Sequence, residues 1–229
     1  MKKIAALVIL ATLSTSLFAQ TKENREVGDF NYISFGISGD LTIIQGSKTE
    51  LILEGDEETL ENIETYVTGE KLKIRSKNNS WSWWQDRGKI KATVTVKDFS
   101  GVSISGSGKA YSKGMLKGDN VELSVSGSGD LVLDLQANEI DCSISGSGTI
   151  DLSGNGKSGS LSISGSGELD AIEYEIETMS IRISGSGDAA IHATKEIDSR
   201  ISGSGTVRYK GDPDKISNHA SGSGKLRKM

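Results

Sequence analysis

The chain predicts an all-β solenoid, a parallel β-helix with rungs of about 19 residues, on three observations. The word Ser-Gly-Ser-Gly occurs seven times, starting at Ser105, Ser126, Ser145, Ser164, Ser184, Ser202 and Ser221. Successive copies lie 21, 19, 19, 20, 18 and 19 residues apart, and a steady period of this size marks a stack of equivalent units. On either side of the word, apolar and polar residues alternate, as in a strand with one buried face. Ser, Gly and β-branched residues at that spacing are poor helix formers. A propeller blade needs about 40 residues.

One rung explains the rest. The residue before the word is Ile104, Val125, Ile144, Ile163, Ile183, Ile201 or Ala220. Three before it stand Val102, Leu123, Cys142, Leu161, Ile181, Ser199 and Asn218, and between these rows lie Ser103, Ser124, Ser143, Ser162, Arg182, Arg200 and His219. Two after the word come Ala110, Leu131, Ile150, Leu169, Ala189, Val207 and Leu226. The reading is a strand before the word, a strand after it and a corner at the word. The glycines suit the corner because they accept backbone angles that a Cβ disfavours. Stacked corners would bring equivalent serines about 4.8 Å apart, close enough for hydroxyl ladders, with either serine free to face inward. One short rung buries too little to order itself, so neighbouring rungs must supply hydrogen bonds and packing.

Ahead of the repeats, residues 1–20 read as a secretory signal peptide. Lys2 and Lys3 precede an apolar run from Ile4 to Leu13, and cleavage is expected after Ala19 or Gln20. The run is short for a membrane span, and no other stretch could make one. Residues 21–100 read as an irregular β part that caps the solenoid, and residues 101–229 as the repeats, together one continuous domain over 26–226. Ile37-Ser38-Gly39-Asp40 is a worn copy of the word. Phe35 to Ile44, Leu51 to Leu53, Lys71 to Arg75 and Ile90 to Val96 read as strands. Asp56 to Val67, with Leu60, Ile63 and Val67 at helical spacing, reads as a short helix. At the far end, Lys225, Arg227 and Lys228 put charge on the last strand, a defence against edge pairing.

Charge and cysteine usage narrow the partners. The whole chain carries 26 Lys+Arg against 31 Asp+Glu. Removing Lys2 and Lys3 leaves 24 against 31, a charge of −7 that disfavours nucleic acid and anionic lipid surfaces. The single Cys142 can form no internal disulfide and suits a small core position.

Three features could carry chemistry. Trp81, Trp83 and Trp84 hold every tryptophan of the chain, either as an aromatic platform for a sugar or apolar partner, or as a loop covering one side of the solenoid. Arg182 and Arg200 would be neighbours in one outward row, with His219 next and Asp198 on the same side. This strip is where a ligand or, in a polysaccharide-processing enzyme, a reacting group would sit. Asp40, Asp130, Glu168 and Asp188 follow copies of the word. Lys109, Thr149, Thr206 and Lys225 share their row, so no acidic column forms for calcium. Neither a metal nor a cofactor is expected.

The pieces in this order resemble the head GIN domain family of Bacteroidetes, the putative auto-transporter adhesins. The likeness runs from about Glu26 to Leu226. It rests on Phe35 to Gly46 (Phe-Gly-Ile-Ser-Gly-Asp-Leu-Thr-Ile-Ile-Gln-Gly), Leu72 to Arg75, the repeated Ile-Ser-Gly-Ser-Gly, and Tyr209-Lys210-Gly211-Asp212-Pro213. The resemblance implies a right-handed parallel β-helix with a surface or envelope role and carries over no catalytic residues. Unlike an auto-transporter, the sequence ends five residues after the last word without a membrane-barrel segment. The expectation is an exported, non-enzymatic adhesin or scaffold of the periplasm or cell surface. Its partner would be an envelope protein or glycan, and self-association through a flat face is a further expectation. A carbohydrate-binding module or polysaccharide-processing β-helix enzyme is the alternative.

Overall fold

The computed structural model describes residues 21–77 and 90–229. From the N-terminal side the chain forms β1 (Thr21–Arg25), β2 (Tyr32–Gly36), β3 (Gly39–Gln45), β4 (Glu50–Gly55), the short helix α1 (Glu57–Glu61), β5 (Ile63–Thr68), β6 (Lys71–Ser76) and β7 (Ile90–Val96). The repeats then form β8 (Gly101–Gly106), β9 (Lys109–Ser112), β10 (Leu116–Gly127), β11 (Asp130–Gly146), β12 (Thr149–Gly165), β13 (Glu168–Gly185) and β14 (Asp188–Gly203). They end in β15 (Thr206–Lys210), β16 (Lys215–Gly222) and β17 (Lys225–Lys228). The repeat strands pair in parallel, each coil on the next, so the architecture is a parallel β-helix.

The register sets each word on the next, with Ser105, Ser126, Ser145, Ser164, Ser184, Ser202 and Ser221 in one row. The same register stacks the core. Ile104, Val125, Ile144, Ile163, Ile183 and Ile201 form one buried column, and Ala110, Leu131, Ile150, Leu169, Ala189 and Val207 another.

Between words the chain departs from the two-strand reading. A full coil is one continuous strand, as from Asp130 to Gly146. It still turns a second corner. Ala137 and Ile140 are both buried, whereas Asn138 and Glu139 between them face out. The ladder to β12 skips Asn138 there. Two consecutive outward residues shift the alternation by one and bend the strand without a glycine.

The two glycines of each word serve different ends. The first has a left-handed backbone, with φ of 114° at Gly127, 120° at Gly165 and 127° at Gly203. The second is needed for space: a Cβ on Gly167 would stand 2.3 Å from Ile144 Cγ2 and 2.9 Å from the Gly148 carbonyl. With no side chains in the way, the seven words bond to one another through backbone, and a hydroxyl contact joins only Ser38 of the worn word to Ser107 at 3.1 Å among the described residues. The Ser147, Ser166 and Ser186 amides each donate to the first glycine of the preceding word at 2.8 Å, and the Thr149 amide donates to Gly129 O at 3.0 Å. Both serines of every word are exposed. The ladder is therefore a backbone ladder, and the hydroxyls face outward.

The coil of β12 is unusually small inside. A Cβ on Gly159 would meet Ile176, Ile140 and Met179 within 2.9 Å, and one on Gly156 would stand 2.5 Å from the Tyr174 hydroxyl. The next coil fills the vacated space with Tyr174, Ile176 and Met179, all buried. The Tyr174 hydroxyl is buried beside the Ala137 carbonyl without a well-formed hydrogen bond, and burial pushes its ionisation far up.

The first hundred residues do not stack in chain order. The β2–β3 coil lies between the β6–β7 coil on one side and the β8–β9 coil on the other, all in parallel. The free edge of the outer coil is covered antiparallel, β5 on β6 and β4 on β7, with β1 beyond β4. Ile37 and Ser38, from the worn word, form the corner between β2 and β3. The helix expected over Asp56–Val67 is confined to Glu57–Glu61. Asn62 ends it, and the β-branched Ile63, Thr65, Val67 and Thr68 join the strand that pairs with β6. Leu60 and Ile63 are nonetheless both fully buried.

Two predictions follow from the corner and the small coil. Gly165→Ala must strain a left-handed residue and press on the Gly146 carbonyl, 2.6 Å from the added carbon. A loss of about 2 kcal/mol or more is expected in denaturant titration, whereas Ser164→Ala, on the exposed side of the same word, stays within about 0.5 kcal/mol. Tyr174→Phe removes a buried hydroxyl whose nearest acceptor, the Ala137 carbonyl, is poorly placed for a hydrogen bond, and changes stability by no more than about 1 kcal/mol. Tyr174→Ala opens a cavity against a coil with no side chains to refill it and costs about 3–5 kcal/mol.

Candidate functional site

The outward row two residues before each word runs the length of the solenoid. Its successive members are Lys73, Ser34, Ser103, Ser124, Ser143, Ser162, Arg182, Arg200 and His219. Small hydroxyls occupy its middle, and three nitrogen-bearing side chains close it at the C-terminal end. Arg182, Arg200 and His219 are all exposed and stand in three consecutive coils, as expected.

Asp198 joins them. Its Oδ2 lies 3.4 Å from Arg200 Nη2, while its Oδ1 is buried without a partner. Arg182, Arg200 and His219, without Asp198, line a shallow depression of ≈680 Å³ together with word serines, Asn218 and the apolar Ile183, Ile201 and Ala220. Neighbouring coils are about 4.8 Å apart. Two guanidinium groups at that spacing can donate several charge-assisted bonds to a carboxylate, sulfate or phosphate. Trp81, Trp83 and Trp84 lie outside the described residues.

The acids after the word have local work. Lys109 Nζ lies 2.6 Å from Asp130 Oδ2, and that pairing raises the Lys109 pKa through hydrogen bond and charge. Asp188 Oδ1 accepts from the Thr206 amide at 2.8 Å, and Glu168 faces Arg208 at 3.9 Å. Asp40 sits beside Lys109 in the register. Only Glu168 and Asp188 are adjacent acids in this row. Among the described residues no group of three or more His, Cys, Asp or Glu could hold a metal ion. No described helix is long and apolar enough to cross a membrane.

Sequence reasoning missed one concave feature, a groove at the second corner bordered by Lys117, Gln136, Asn155 and Glu175. Its signal was present: each of these polar residues stands nine positions before a word.

Cys142 is fully buried in the inward column, as expected of a core residue. Burial pushes its thiol up to about 12, with the Asp141 charge adding to the shift. It should not react with a thiol-directed disulfide reagent near pH 8 in the folded protein, and it should react at once in denaturant. Fast labelling of the native protein would show the core to be open there.

The model of the putative auto-transporter adhesin, head GIN domain, matches residues 29–213. Several crystal structures share the fold. A putative adhesin from Bacteroides fragilis superposes with a TM-score of 0.87 at 24% identity, over 92% of this chain and 97% of the other. A putative lipid binding protein from Parabacteroides distasonis gives 0.75 at 26% identity, covering 92% and 96%. A putative adhesin from Parabacteroides merdae gives 0.72 at 24%, again covering 92% and 96%. No curated protein sequence matches the chain.

Proposed function

The chain belongs to the head GIN domain family of putative auto-transporter adhesins, and from that premise we propose that it is an exported, non-enzymatic adhesin of the cell envelope. It holds a surface partner along the outward serine face, and Arg182, Arg200 and His219 supply the charged end of the contact. The observation that carries the reading is the in-register stack of seven words whose serines all face out. A repeat that spends its invariant hydroxyls on the surface, with apolar columns inside, builds a long flat contact area. The adhesin description of the Bacteroides fragilis structure supports the same reading.

The partner is an envelope protein or glycan that carries acidic groups, because the end of the row offers two exposed guanidiniums. The test is retention of protein-coated beads on immobilised envelope material. Arg182→Ala with Arg200→Ala should weaken retention about tenfold or more while the melting curve stays unchanged. Retention equal to that of the parent protein would overturn the assignment of the strip. Retention that disappears only after heat-unfolding the beads' protein would place the contact elsewhere on the folded surface.

A further inference from the structure

We infer that the groove at the second corner is a binding site for a neutral, extended glycan chain. The groove has a volume of ≈470 Å³ and crosses five coils, from Lys117 on β10 to Thr194 on β14. Its floor is main chain at Gly118, Ala137 and Gly156, which stack in register. One wall is the row Lys117, Gln136, Asn155 and Glu175. The other is built from the outward corner residues Asn138, Lys157 and Glu177.

The lining selects the ligand class. The lining carries Lys117 and Lys157 against Glu175 and Glu177, two charges of each sign, and Glu177 is held by Lys195 at 2.6 Å. A polyanion such as nucleic acid gains little in such a groove. An apolar ligand would have to strip water from amides, ammonium groups and carboxylates. An extended peptide needs a free strand edge, and here the backbone donors and acceptors of the floor are engaged in the parallel ladders to the neighbouring coils.

What remains unengaged is side-chain hydrogen bonding. Asn138 bonds Asp119, whereas the Gln136, Asn155 and Glu175 side chains have no partner among the described residues. Primary amides donate and accept at once, and so do sugar hydroxyls. The groove is also periodic. Equivalent side chains recur about every 4.8 Å, close to the advance of one sugar in an extended chain, so each coil meets one sugar unit. Binding per unit is weak, and it accumulates along the polymer. The site lies on different rows from the Arg182–Arg200–His219 strip, so its test does not depend on that strip.

The experiment is calorimetric titration of the purified protein with neutral oligosaccharides of increasing length, drawn from linear β-linked glucose, mannose and N-acetylglucosamine series. Affinity should rise with each added sugar and level off once the chain spans the five coils. Gln136→Ala with Asn155→Ala should weaken binding about tenfold without altering the circular dichroism or melting curve. Glu175→Gln keeps the hydrogen-bonding shape and removes the charge, and should change binding by less than about twofold. The Arg182→Ala, Arg200→Ala protein should bind as the parent does. Absence of binding to every neutral series, equal binding by the double amide variant, or preference for a uronic acid polymer or DNA would each overturn the inference. Loss of binding in Glu175→Gln would overturn it too, since that outcome requires a charged ligand.

Discussion

The close backbone contact at the glycine corner governs the rest of the structure. There the amide of one word's second serine reaches the carbonyl of the previous word's first glycine at 2.8 to 2.9 Å, over six consecutive steps. A side chain at either glycine would push the coils apart by colliding with that carbonyl or with a core isoleucine. Once the corners touch, the register of every row is set. The aliphatic columns then stack like on like, and the polar rows line up outside. Both sites described above are consequences of that register: residues nearly 20 apart in sequence become neighbours, and a property repeated once per coil becomes a strip or a groove.

A stack of this kind has two ends, and the chain treats them differently. At the N-terminal side, β4 and β5 turn back antiparallel over the edges of β7 and β6. The helix between them places Leu60 in the core. At the other side the final coil of β16 and β17 is largely exposed, with Ile216 at 44%. Positive charge protects that coil: Lys215 pairs with Glu196 and Lys228 with Asp212, and Lys225 and Arg227 face solvent. The inward column reflects the same boundary, changing from Ile181 to a buried Ser199 with no partner for its hydroxyl and then to the exposed Asn218.

The repeats were legible because each of their physical demands leaves a mark at a fixed position: glycine where a Cβ cannot fit, an aliphatic residue every second place, and an outward residue between. The strip of Arg182, Arg200 and His219 could be read from the same alignment. The helix was over-read because Leu60, Ile63 and Val67 satisfy a helical spacing, whereas the β-branched residues after Asn62 prefer the pleated surface offered by β6. The spatial order of the first coils was hidden, since β2 looks alike whether its neighbour is β6 or β8. The groove was hidden because its row holds Lys, Gln, Asn and Glu. These share no chemistry until the fold makes them one wall.

The position of the β2–β3 coil has a consequence for how the chain reaches this state. In the repeats a residue finds its ladder partner 17 to 21 positions away. Tyr32, by contrast, pairs with Lys71 and Gly101, which lie 71 − 32 = 39 and 101 − 32 = 69 positions later. Closing such long loops costs more entropy than closing the short repeat loops. The β2–β3 coil is therefore costlier to close than any repeat coil, whereas β5 and β6 close locally as a hairpin. One edge of the β2–β3 coil finds its partners in β6 and β7, and the other stays unpaired until β8 and β9 have emerged. A chain built this way gains from being kept unfolded until it is whole.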